Sequence, residues 1–304
     1  MIGLAPPKPR KRQMTLERRT PALMVTPAVA LLLLLTLFPM FYSLFLSLHD
    51  WNMARPQHGR TFIGLGNFSR LLNDPYFWEA LGRTAVYVVG AVTLQMVIGF
   101  ALALLFSSRT RFVSVSRALL LFPVMLSPIV VGVMWRILYH PSFGMVNFAT
   151  SFLGLGTRAW LGDPKTAMLA IILTEVWQWS PFVMLLVQSG LAGLPPEPFE
   201  AALIDGASSW QAFWRITVPL VSPTLITAGL LRMMDAIRSF DTIYVMTKGG
   251  PSNYTETLSF LTYKTGFMFF DMGMACALSY VLLLIVLTLS QVLTRAKVFK
   301  VDVS

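Results

Sequence analysis

Apolar residues in this chain fall in long blocks, not in the short alternating runs of strands or the one-faced stripes of surface helices. Six blocks reach the roughly 20 residues that a helix needs to cross the hydrocarbon core of a bilayer. They cover residues 21–48, 84–106, 118–138, 167–191, 216–237 and 272–293. The pattern predicts an all-α integral membrane protein with six transmembrane helices. The fourth and fifth blocks carry polar residues but keep enough Leu, Ile, Val and Met to insert. Segments 58–83, 139–166 and 239–271 are polar and rich in Gly and Pro, and read as loops. The chain therefore divides into a basic tail (1–20), a six-span body (21–295) and a short C-terminal tail (296–304).

Composition agrees. Hydrophobic residues make up 55% of the 304 positions and charged residues 12%. A soluble domain carries about 25% charged residues, so this chain lacks the polar surface to cover a water-soluble globule. The net charge of +10 would point to nucleic acid on a soluble protein. Here no basic stripe is interleaved with exposed aromatics, so a nucleic-acid partner is not expected. The charge instead sits between the apolar blocks. Lys8, Arg10, Lys11, Arg12, Arg18 and Arg19 precede the first block; Arg109, Arg111 and Arg117 lie between the second and third; Arg295, Lys297 and Lys300 follow the last. Six spans put all three groups on one side, and the positive-inside bias makes that side the cytoplasm. Both termini are then cytoplasmic. The outward segments keep some basic residues, Arg55, Arg70, Arg158 and Lys248 among them, so the bias rests mainly on the N-terminal cluster. That cluster followed by apolar residues resembles a signal peptide, but the first block is too long for a signal core and reads as a retained span. The single cysteine, Cys276, can form neither an internal disulfide nor a metal cluster.

The same parity places 193–215 in the cytoplasm. Pro195, Pro196 and Pro198 forbid continuation of the preceding helix. A new short helix is expected over 199–204, with Pro198 tolerated in its first turn, Glu197 as a candidate cap and Glu200 adding favourable negative charge. Ala201 and Ala202 present small side chains, and Asp205-Gly206 ends the helix, with Gly206 in a left-handed conformation. Ala207 follows. A second helical stretch over 208–217 is rich in aromatics, and Pro219 and Pro223 stiffen the start of the fifth span.

Glu200-Ala201-Ala202-x-x-x-Gly206 followed by Ile216-x-x-Pro219 resembles the EAA loop of permease subunits of ATP-binding-cassette importers. Phe62-Ile63-Gly64-Leu65-Gly66-Asn67-Phe68 and the run from Arg232 through Asp241 to Gly249-Gly250-Pro251 are similar to the carbohydrate-uptake branch, which includes the maltose-type permeases. The resemblance spans about residues 20 to 295. It implies a bacterial inner-membrane permease that imports a sugar, sugar derivative or polyol by alternating access. The implied partners are a second permease, two cytoplasmic ATPase subunits and an extracytoplasmic sugar-binding protein. The short helix between spans four and five would be the coupling helix, with Glu200 meeting a basic residue of the ATPase and Gly206 allowing close backbone contact. No phosphate-binding loop of the form Gly-x-x-x-x-Gly-Lys-Ser/Thr occurs in this sequence. ATP hydrolysis is expected in a partner, and the chain itself is expected to be no enzyme and to need no cofactor.

Polar residues within spans are expensive and usually face the bundle interior or a watery path. Arg232, Asp235, Ala236 and Ser239 share one face of the fifth span, and Arg232 and Asp235 stand at ion-pairing distance along it. The corresponding face contacts sugar in maltose-type permeases, although Ala236 has no polar group to offer. The charges either line a pathway or pair structurally. In span four Glu175, Gln178 and Pro181 are three apart, and Pro181 is expected to break the helix. Trp177 and Trp179 either stack on a sugar ring or anchor the helix. Gln95 stands alone at mid-depth of span two. His49, His58 and His140 have no metal-ligand spacing, and Asp235 has no partner for intramembrane proteolysis. The alternative is a secondary transporter or channel with Glu175, Arg232 and Asp235 as an ion relay, which would need no docking helix at 199–204.

Overall fold

The computed structural model describes residues 11–107, 111–154 and 156–295. Of the basic residues that set the expected orientation, Lys8, Arg10, Arg109, Lys297 and Lys300 lie outside them, as does the whole tail 296–304. The described residues are mainly helical, with one two-stranded antiparallel ribbon among them. Helix α1 (Lys11–Ser47) begins inside the basic tail. Strands β1 (His49–Asp50) and β2 (Thr61–Phe62) pair next, with His49 opposite Phe62. They are followed by α2 (Gly66–Leu72), α3 (Pro75–Leu105), α4 (Arg111–Met125), α5 (Pro128–Leu138) and α6 (Met145–Phe152). Helix α7 (Pro164–Ala192) leads to the short α8 (Glu197–Ile204) and α9 (Ser209–Ala212), and α9 runs through a π-helical turn (Phe213–Thr217) into α10 (Val218–Arg238). Helices α11 (Asp241–Met246), α12 (Leu258–Tyr263) and α13 (Met272–Arg295) complete the chain.

Five helices are long and apolar enough to span a membrane, and α4 with α5 makes a sixth if that bent pair is one span. The third block is therefore not the straight span expected over 118–138: its two halves meet at 99°. Pro128 is the cause. A residue before proline is pushed out of the α region, and Ser127 sits at φ −61°, ψ 138°. The turn leaves the Leu126 carbonyl without a helical donor, and Gln178 Nε2 supplies one at 3.1 Å. Past the bend α5 packs on α11, where a methyl on Gly132 would lie 3.1 Å from Val245 Cβ. Pro181, by contrast, does not break α7, which continues through it to Ala192.

The three expected loops each contain short helices or the first turns of long ones. Asp74 and Asp163 each precede a proline and cap a helix, accepting from Tyr76 N at 2.9 Å and Lys165 N at 3.0 Å. Aspartate at the cap followed by proline in the first turn is a strong start signal, and α3 begins nine residues, α7 three residues, before its apolar block. The 239–271 segment is lodged in the protein: Thr255, Glu256 and Thr257 are buried, Leu258 N donates to Thr84 Oγ1 on α3 at 2.9 Å, and Lys264 pairs with Glu256 at 3.1 Å.

The core lies between α3, α7 and α10, with Tyr87, Ala91, Ala170, Ile171 and Ile237 buried together and Ile243 of α11 closing it outward. Small residues set the spacing. A methyl on Gly99 would fall 2.6 Å from Val183 Cβ, so α3 and α7 touch there backbone to side chain. Helix α1 packs on α13, where Tyr280 Oη donates to the Met40 carbonyl, while Leu31 to Leu35 are all at least half exposed.

Candidate functional site

Two regions hold most of the residues singled out by the sequence. The first is the loop after α7. Helix α8 begins at Glu197, with Pro198 as its second residue; the cap position is Pro196, not Glu197, and no side chain caps it. At its other end Ala207 N donates to Ala202 O at 2.9 Å and Gly206 N to Leu203 O at 3.2 Å. These nested bonds satisfy two orphan carbonyls only if the residue between them is left-handed, and Gly206 has φ +74°. A Cβ on Gly206 would meet nothing within 4 Å. Inside this chain the glycine is thus required by backbone conformation, not by crowding. The spacing of Ala202, Gly206 and Ala207 is that of the helix stop itself.

None of α8 is buried. Glu200, Ala201, Asp205 and Gly206 are exposed, and Ala202 and Ala207 are partly so. Leu203 and Ile204 are 77% and 86% exposed. Ser208 and Gln211 then form a reciprocal cap: Ser208 Oγ accepts from Gln211 N at 3.3 Å, and Gln211 Oε1 accepts from Ser208 N at 2.8 Å. Trp210, Phe213 and Trp214 pack ring on ring, and Phe213 also stacks on Phe100 of α3 at 5.8 Å.

The second region is centred on Arg232 of α10, which is fully buried. Its Nη2 pairs with Glu175 Oε1 at 2.9 Å, its Nε donates to Gln95 Oε1 at 3.0 Å and its Nη1 reaches Asp235 Oδ2 at 3.4 Å. The guanidinium also lies 4.3 Å from the centre of the Trp179 ring. Gln95, expected to stand alone, joins this network and donates Nε2 to the Glu175 carbonyl at 3.2 Å. A buried charge persists only when it is paired and hydrogen-bonded, and here three helices share that work. Asp235 is half exposed and also takes Arg238 Nη2 at 2.9 Å. Ser239 accepts from Tyr87 of α3 at 3.0 Å. Glu175, Arg232, Asp235 and Ser239 line a cavity of about 350 Å³, with Trp179 and Phe240 as its aromatic walls.

Three of the expected pathway residues are elsewhere. Ala236 packs in the core with Ile237. Gln178 braces the α4–α5 bend. Trp177, 200° around α7 from Glu175 at 100° per residue, meets Trp135 edge-on at 5.6 Å and lines a separate apolar cleft. The expected pairing of Arg232 with Asp235 is present, but the closer carboxylate comes from a different helix. Glu175 was visible in the sequence as a costly residue; that it faces Arg232 was not.

Comparison with known proteins gives these regions a family. Residues 95–300 match the model described as binding-protein-dependent transport system inner membrane component. The chain is 36% identical over 264 residues to a probable ABC transporter permease protein, y4oQ, of Sinorhizobium fredii, covering 87% of this chain and 85% of that one. It is 35% identical over 286 residues to the trehalose/maltose transport system permease protein MalF of Thermococcus litoralis, covering 94% and 96%. A chain in the crystal structure of a bacterial alginate ABC transporter in complex with alginate pentasaccharide-bound periplasmic protein shares the fold, at TM-score 0.79 and 20% identity over 95% of this chain and 97% of that one. The chain belongs to the family of inner-membrane components of binding-protein-dependent transport systems.

Proposed function

We propose that the chain is a permease subunit of an ATP-driven sugar importer and works by alternating access. The observation that carries this is α8: a rigidly stopped, wholly unburied helix bearing Leu203 and Ile204, held between two spanning helices. Its exposed apolar residues and negative first turn suit a cleft on a separate ATPase. Glu200, Ala201, Ala202, Asp205, Gly206 and Ala207 are the proposed contact, within the loop 193–215. A sugar as cargo is supported by the names of relatives: besides the trehalose/maltose permease, the trehalose permease SugA of Mycobacterium tuberculosis is 35% identical over 86% of this chain and 83% of its own length.

In this reading the chain pairs with a second permease, two ATPase subunits bind the cytoplasmic face and hydrolyse ATP, and an extracytoplasmic binding protein delivers the sugar. Both termini are cytoplasmic, and α1 faces lipid. ATP-driven closure of the ATPases moves α8, and the spans open the Arg232 cavity first outward and then inward. Glu175, Trp179, Arg232, Asp235 and Ser239 are the proposed pathway wall.

Reconstitution tests the reading. Vesicles holding this chain, its permease partner and the binding protein are expected to take up sugar only when the ATPase subunits and internal ATP are added. Uptake that is equal without the ATPase would reject the importer and favour a gradient-driven carrier.

A further inference from the structure

We infer that the Arg232 cavity selects an uncharged polyhydroxylated solute and excludes sugars that carry a carboxylate, sulfonate or phosphate; this rests on the sugar-importer reading above. The cavity is lined by two cations, Arg232 and Arg238, and three carboxylates, Glu175, Asp235 and Asp241, a formal balance of 2 − 3 = −1. Arg232 is committed, and Arg238, its side chain 65% exposed, is shared with Asp235. Arg232 divides its guanidinium among Gln95, Glu175 and Asp235 and is covered by Trp179. Arg238 gives Nη2 to Asp235 and Nε to the Met234 carbonyl at 3.1 Å. Asp241 forms no ion pair among the described residues.

An anionic sugar would have to take Arg232 from Glu175, which would leave a carboxylate buried without its cation, or compete with Asp235 for Arg238 with Asp241 in the same cavity as a like charge. A neutral sugar meets neither penalty. Its hydroxyls donate to Asp235 and Asp241, which are acceptors only when ionised. The apolar faces of its rings find Trp179 and Phe240. A single unit charge at this range in partly desolvated protein changes affinity by about tenfold or more.

The purified permease pair, without the binding protein that would otherwise select first, is the right material. Saturation-transfer NMR on it, with trehalose, maltose and lactose as neutral probes and glucuronate, galacturonate and sulfoquinovose as acidic ones, is expected to favour at least one neutral probe by about tenfold over every acidic one. Asp241→Asn and, separately, Asp235→Asn are expected to shrink that preference. Equal or tighter binding of an acidic probe overturns the inference, as does a preference for glucosamine over glucose. Discrimination unchanged in both Asn variants places it outside the cavity and also overturns the inference. The underlying reading fails differently: the assembled importer would drive uptake of a non-sugar solute with ATP and of none of these sugars.

Discussion

Helix α8 and the Arg232 cluster are stabilised in opposite ways. No residue of helix α8 is fully buried, and its shape comes from backbone bonds within twelve residues of chain, Pro196 to Ala207. Arg232 is buried from end to end, and its partners on α7 and α3 are 57 and 137 residues away in sequence. A surface made by local rules tolerates change in its side chains but not in its one left-handed residue. A cluster made by distant charges tolerates replacement of the whole set better than loss of one member. The contrast is between a part shaped to be touched and a part shaped to hold three helices together.

The largest effect expected is at the cluster. Arg232→Met leaves Glu175 buried without its cation and should cost about 3–5 kcal/mol, read as a fall in membrane abundance and in thermal stability in detergent. Arg232→Met combined with Glu175→Met should recover most of that loss, because an apolar pair of similar volume removes both charges together. Failure of the double variant to recover would mean that the pair contributes more than mutual neutralisation. At α8, Gly206→Val should cost about 1–2 kcal/mol in the local helix stop and sharply lower ATP-coupled uptake with little change in abundance; if abundance falls as far as for Arg232→Met, the comparison breaks. Gln178→Leu removes the donor to the Leu126 carbonyl and should cost roughly 1 kcal/mol, seen as faster hydrogen exchange on both sides of the α4–α5 bend. The smallest change is expected from Ser208→Ala, about 1 kcal/mol or less at the start of α9, measurable as greater protease sensitivity between α8 and α9 while thermal stability stays within error.

The same contrast explains what the sequence revealed. The stop of α8 was readable because glycine after a short apolar run means one backbone geometry, and Gly206 adopts it. The apolar blocks marked where chain meets lipid but not where helices begin, because hydropathy reports the solvent and capping reports the helix. Asp74-Pro75 and Asp163-Pro164 carried the missing information. Pro128 bends its segment by 99° and Pro181 leaves α7 continuous, and Pro123 lies inside α4 without ending it, so a proline alone did not mark the break. Helical spacing grouped Ala236 with Arg232, but the core claimed Ala236. Gln95 and Glu175 were conspicuous one at a time; only packing made them a pair of ligands for one guanidinium.

The continuous helix Ser209–Arg238 joins the two regions. Nineteen residues separate Phe213 from Arg232, so at 1.5 Å per residue about 28 Å of rod lies between the aromatic cluster beside α8 and the buried charge. Near one end the rod rests on α3 through the Phe100–Phe213 stack, at its wide π-helical turn. That contact seats the helix on α3 beside α8, and the bonds of Arg232 to Gln95 and Glu175 seat it again on α3 and α7. A single helix thus carries both the aromatic cluster beside α8 and the charges of the cavity, Arg232, Asp235 and Arg238.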